Sequence, residues 1–144
     1  MDAALERIMY VEDEPDIQAI AKLALEAIGR FTVHLCDSGT SALTEVEQFG
    51  PDLILLDVMM PEMDGPTMLQ ALRTLPAFAQ TPVIFMTAKA QAHEIEHYKA
   101  LGALDVITKP FDPMALPQQI RDIWSRHQHN NGAAHVLMAV GKNT

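Results

Sequence analysis

Cysteine is all but missing from this chain. Cys36 is the only one, which excludes an internal disulfide and suits a reducing compartment, so a cytoplasmic location is expected. Long apolar runs are missing too. Stretches such as Leu53-Ile54-Leu55-Leu56 fall far below the length of a membrane span, and no membrane association is expected. Residues 1–7 carry no basic stretch leading into an apolar one, so no secretory leader is expected. Basic charge is scarce: ten Lys and Arg stand against nineteen Asp and Glu, a net charge of −9. Without a basic excess to displace their counterions, neither nucleic acid nor an anionic membrane surface is an expected partner, and no DNA-binding output is expected within the chain. No Gly-rich phosphate loop follows the first apolar run, so nucleotide binding is unsupported. Internal repeats and a linker to a second domain are likewise not visible.

What is present is a regular alternation. Nearly half of the 144 residues are hydrophobic and a fifth are charged, the balance of one globular domain. Short apolar runs alternate with helical patterns, which predicts an α/β sheet with crossover helices. Ile8-Met9-Tyr10-Val11 reads as the first strand, and Ile17, Ile20, Ala21, Ala24 and Ile28 as the buried stripe of the first helix, with Gly29 at its end. Residues 31–36 alternate like a half-exposed strand, and Leu43, Val46 and Phe49 mark the second helix. The third strand runs 52–57; Met68, Leu72 and Leu75 carry the third helix until Pro76 breaks it. A fourth strand at 83–86, a weakly patterned helix over 91–101 (Ala92, Ile95, Tyr98) and a fifth strand at 106–108 follow. Asp112-Pro113 announces the fifth helix, with Leu116, Ile120, Ile123 and Trp124 inward; Pro117 predicts that regular helix begins only near itself. Residues 5–128 are expected to form the domain and 129–144 a flexible or loosely docked tail.

Strands buried on both faces read as unbroken apolar runs, and edge strands do not. The first, third and fourth runs are unbroken, whereas the second carries Thr32 and His34 and the fifth is short. This favours strands 2 and 5 at the edges, as in a flavodoxin-like sheet of order 2-1-3-4-5, whose switch point lies between strands 1 and 3.

The strand ends carry the chemistry. Strand 1 runs into Glu12-Asp13, strand 3 into Asp57, strand 4 into Thr87 and strand 5 into Lys109-Pro110. In the expected topology these groups gather at one edge of the sheet. Three carboxylates would repel one another without a cation, and hard oxygen ligands with room for water suit Mg²⁺. A divalent ion together with Lys109 would bring the cluster to neutrality and leave it ready for an incoming anion.

Glu12-Asp13-Glu14-Pro15, Asp57 followed by Met60-Pro61-Glu62-Met63-Asp64-Gly65, Met86-Thr87-Ala88 and Lys109-Pro110-Phe111 together resemble the receiver domains of bacterial response regulators, of the single-domain type. The resemblance covers roughly residues 5–128 and its joint pattern is highly specific. It implies that Asp57 accepts a phosphoryl group from a histidine kinase or a histidine phosphotransfer protein. It implies that Asp13 ligates Mg²⁺ directly, Glu12 through water, and the Met59 main-chain carbonyl alongside Asp57. Lys109 and Thr87 would contact the phosphoryl oxygens, and the Lys109-Pro110 bond would be cis. Such a protein catalyses only its own phosphorylation and dephosphorylation, and signals through a partner on the face formed by helix 4, strand 5 and helix 5, as a monomer or weak dimer. Met59 and Lys89 stand where the family lines the path of the hydrolytic water. One position departs: three residues before the lysine the family usually has Tyr or Phe, and here it is Val106, which has no ring to swing between poses.

Three other readings compete for these residues. His93-Glu94-Ile95-Glu96-His97 fits a zinc-protease motif, but Ile95 belongs to the inward stripe, which turns both histidines to solvent. A haloacid-dehalogenase-like phosphatase would need a second carboxylate two residues after Asp57, where Met59 stands. A scaffold on the same fold that is never phosphorylated is the alternative from another class; it would not need all five site residues.

Overall fold

The computed structural model describes residues 4–142, with side chains through residue 129. Five parallel strands, β1 (Arg7–Val11), β2 (Thr32–Cys36), β3 (Leu53–Asp57), β4 (Val83–Thr87) and β5 (Asp105–Thr108), lie in the order β2-β1-β3-β4-β5. The burial logic holds. β3 and β4 are buried throughout and β1 nearly so, whereas β2 and β5 are partly open. Helices α1 (Pro15–Leu23), α2 (Gly39–Phe49), α3 (Gly65–Arg73), α4 (Ala92–Ala100) and α5 (Leu116–Lys142) cover the sheet.

Alternation along the central strands splits the core into two. Met9, Val11, Ile54, Leu56, Val83 and Phe85 face one side, where Val46 of α2 and Met68, Leu69 and Leu72 of α3 pack, with Tyr98 of α4 at the margin. Ile8, Tyr10, Leu53, Leu55, Ile84 and Met86 face the other, against Ala21 and Leu25 and against Leu116, Ile120 and Ile123 of α5. Local chemistry sets where the helices start. The Ser38 side chain accepts from the Ser41 amide (3.0 Å) before α2, and the Asp64 side chain from the Thr67 amide (2.9 Å) before α3. Gly50 closes α2 in the left-handed region at φ 65°.

The first helix departs from the expected stripe. Its final turn, Ala24–Ile28, widens into a π-helical turn, which rotates the face presented to the sheet. Ala21, Ala24 and Leu25 are buried, while Ile20 and Ile28 are about half exposed. Gly29 stands at the end of the helix, as expected, and Arg30 after it takes the left-handed region at φ 63°. Gly29 is needed for space, since a Cβ there would meet the Leu25 carbonyl and the Phe31 ring at 2.8 Å. At the other end of the chain, regular α5 begins at Leu116, beside Pro117, after Asp112 has accepted from the Met114 amide (3.0 Å). Its backbone stays helical to Lys142, through much of the segment expected to be a tail; the side chains beyond 129 lie outside the described residues, as do 143–144. Arg121 ties α5 to the end of α1 by donating to the Gly29 carbonyl, and lies 4.4 Å over the Phe31 ring.

Candidate functional site

Parallel pairing sets the strand ends level with one another. Val11 pairs with Leu56, Asp57 with Met86 and Thr87 with Thr108, so the residues that leave the sheet there share one edge. Carboxylate oxygens of Glu12, Asp13 and Asp57 lie within 4.8 Å of one another. Lys109 Nζ reaches into this group, 2.7 Å from Glu12 Oε1 and 3.3 Å from Asp57 Oδ1. Glu12, Asp57 and Thr87 are buried and Asp13 is half-buried. The Lys109-Pro110 peptide bond is cis.

Backbone groups fix the rest. The Met59 amide donates to Asp57 Oδ1 (3.3 Å), while the Met59 side chain is exposed. The Lys89 amide donates to Thr87 Oγ1 (3.1 Å), and the Lys109 amide to the Thr87 carbonyl (2.9 Å). Gly65 opens α3 directly behind Asp57, and a Cβ there would meet the Asp57 carbonyl oxygen at 2.9 Å and Val58 Cα at 3.0 Å. Both neighbours are backbone, so only glycine fits.

Burial dominates the electrostatics. It pushes the Asp57 carboxyl up, and the hydrogen bond and charge of Glu12 add to the rise, against the pull of Lys109 and the Met59 amide; the result is a pKa of about 7. Burial would raise Glu12 as well, but its hydrogen bonds to Lys109 and Asp57 and the ammonium charge bring it below the usual carboxylate range. Burial disfavours the Lys109 ammonium, yet Glu12 and Asp57 together hold its pKa above the ordinary value. The metal-free cluster therefore holds an ionised Glu12, a protonated Lys109 and an Asp57 that titrates near neutrality.

Two contributors were not singled out from sequence. The buried Tyr10 hydroxyl donates to Glu12 Oε1 (3.4 Å), and Gln18 of α1 donates to the Glu12 carbonyl. Tyr10 had a signal, since it stands two residues before Glu12 and so projects to the same side of the chain. Gln18 had none, because its contact depends on how α1 docks. An apolar hollow of about 370 Å³ opens beside the cluster, lined by Ile17, Ile20, Ala88, Lys109, Pro110, Phe111 and Pro113.

Two singled-out features lie elsewhere. Val106 on β5 is half-buried and packs against the α2–α4 side of the core. His93 and His97 are exposed on α4, and Glu94 Oε1 accepts from the Gln91 amide (3.2 Å) at the helix start. Among the described residues, no candidate metal group includes either histidine.

The family described as response regulator receiver domain matches residues 8–121. The DNA-binding response regulator MtrA of Mycolicibacterium smegmatis is 31% identical over 98% of this chain and 59% of its own length. The regulatory protein VanRc of Enterococcus gallinarum is 36% identical over 88% of this chain and 53% of its own length. The chain thus spans little more than half the length of these relatives. Among solved structures, the chemotaxis protein CheY4 of Vibrio cholerae superimposes with a TM-score of 0.76 at 27% identity, covering 83% of this chain and 99% of that one.

Proposed function

The chain belongs to the response regulator receiver domain family, and from that premise we propose that it takes a phosphoryl group onto Asp57 within a two-component signalling system. The observation that carries this reading is the juxtaposition of a buried Asp57, a Lys109 ammonium 3.3 Å from it and two further carboxylates at one sheet edge. The donor is a phosphohistidine, on a sensor histidine kinase or a histidine phosphotransfer protein. An oxygen of the ionised Asp57 carboxylate bonds to phosphorus as the phosphorus–nitrogen bond breaks, and the histidine nitrogen leaves with the electron pair.

Lys109 serves the phosphoryl oxygens as they shift onto Asp57, since its ammonium already touches the acceptor. Thr87 stands at the same edge, with its oxygen held by the Lys89 amide and its hydroxyl hydrogen available to a phosphoryl oxygen. The three hard carboxylates fit Mg²⁺, held by Asp13, Asp57 and the Met59 carbonyl, with Glu12 through water. Bound there, Mg²⁺ would neutralise the developing charge and favour the ionised form of Asp57. The hollow beside Lys109 offers the donor protein an apolar foothold next to the acceptor.

Residues 5–128 are the receiver unit, working in the cytoplasm as a monomer or weak dimer. It signals to a protein partner through the α4–β5–α5 face, and neither nucleic acid nor membrane is its target. Among the described residues no helix is long and apolar enough to cross a membrane.

The test is an incubation with acetyl phosphate, with and without Mg²⁺, read by intact mass beside Asp57→Asn. The expected result is a single added phosphoryl mass that needs Mg²⁺ and is absent from the variant. An unmodified wild type, or a variant modified to the same extent, would overturn the proposal, and the former would favour a scaffold that is never phosphorylated.

A further inference from the structure

A second set of ligating side chains meets between β2 and α2. His34 and Cys36 are two residues apart on β2, so they leave the same face of the strand, and Glu45 reaches them from α2. A ring nitrogen of His34, the Cys36 sulfur and a Glu45 oxygen all lie within 4.8 Å of one another. His34 Nε2 is already 2.8 Å from Glu45 Oε1. Cys36 is buried beneath the pair, and the other two side chains are 36% and 40% exposed. On the solvent side a hollow of about 300 Å³ opens, lined by Arg7, His34, Glu45, Gln48 and Phe49.

The surroundings restrain the ligands. The His34 ring stacks on Phe49 at 5.1 Å. Arg7 lies 4.3 Å over the Phe49 ring and donates from Nε to the Phe49 carbonyl (2.9 Å), which directs its charge to that carbonyl. Nitrogen, sulfur and carboxylate oxygen together are the donor set of a borderline-soft cation, in contrast to the all-oxygen cluster around Asp57.

We propose that His34, Cys36 and Glu45 form a binding site for Zn²⁺, or a divalent cation of the same class, separate from the acidic cluster at Asp57. Three protein ligands leave one tetrahedral position, which water from the hollow completes. One thiolate and one carboxylate balance the charge of the ion. On binding, the Cys36 S–H bond breaks, a sulfur–metal bond forms, the proton passes to solvent and the His34–Glu45 hydrogen bond opens. Burial, with Glu45 and Asp37 nearby, pushes the free thiol up to about 12, so the metal binds in competition with that proton.

Because Cys36 is the only cysteine, a sulfur-specific signal reports this site alone. The whole chain is titrated with Co²⁺ in excess Mg²⁺. The expected result is a near-ultraviolet thiolate-to-cobalt absorption that saturates at one-to-one stoichiometry and is displaced by Zn²⁺. Cys36→Ser abolishes the band, and Asp57→Asn leaves it unchanged, even should Asp57 never be phosphorylated. His34→Ala and Glu45→Gln, checked for folding by circular dichroism, weaken Zn²⁺ binding about tenfold or more against a chromophoric chelator. A folded wild type without the band, or His34→Ala and Glu45→Gln variants that bind as tightly as the wild type, would overturn the proposal.

Discussion

Asp57 is 3% exposed and shares its pocket with a second buried carboxylate, and among the described residues a single ammonium reaches them both. Burial, then the neighbouring Glu12, lifts its pKa from the ordinary 3.8 to about 7. The folded chain therefore holds a proton that the unfolded chain gives up, and Asp57 costs stability progressively as pH rises from its ordinary value through about 7. Asp57→Asn removes that cost. In chelator the variant is expected to exceed wild type by on the order of 1–3 kcal/mol at about pH 8 and by much less at about pH 5. Thermal or urea unfolding at both pH values measures the two gaps, and gaps of equal size would refute the assignment. At this scale the candidate site was largely legible, because Glu12, Asp13, Asp57, Thr87 and Lys109 each stand where a strand pattern ends. Gln18 and the His34–Cys36–Glu45 group were not, because each contact joins elements whose docking no local pattern encodes.

Between elements, the departure at Val106 is expected to change how a signal crosses the domain. Thr87 ends β4, Val106 lies on the neighbouring β5, and Phe85 pairs directly with Val106. Valine has one stiff torsion and packs half-buried on the core, with no ring to swing between a buried and an exposed pose. Phosphorylation, or beryllium fluoride in its place, is expected to shift the amides of Thr87, Ala88 and Lys89 while the Val106 methyl signals keep their rotamer. Methyl and amide NMR of the two states makes the comparison, and a rotamer change at Val106 would contradict the prediction. α1 shows the limit of periodicity at this scale. A uniform helical period points Ile28 inward with Ala21 and Leu25, but the π-helical turn over Ala24–Ile28 shifts the phase and leaves Ile28 about half exposed. Ile20, ahead of that turn, is about half exposed and lines the hollow beside Lys109.

The molecule as a whole sets a cation-seeking site in an acidic chain. A net charge of −9 opposes binding to duplex DNA, although one relative that it only partly spans is named as DNA-binding. No retardation of duplex DNA is expected at physiological salt, phosphorylated or not; a salt-sensitive shift of this chain would overturn that expectation. Sequence alone determined the α/β class, the strand order and the line of polar residues at the strand ends. Short unbroken apolar runs set between helical patterns favour central strands, and period-two burial is a local property of the chain. Tertiary structure alone decided which helix faces are buried, that Gln18 braces Glu12, that Asp57 titrates near neutrality, and that His34, Cys36 and Glu45 meet. Each of these depends on how separate elements dock, and those distances are set only when both cores close around the sheet.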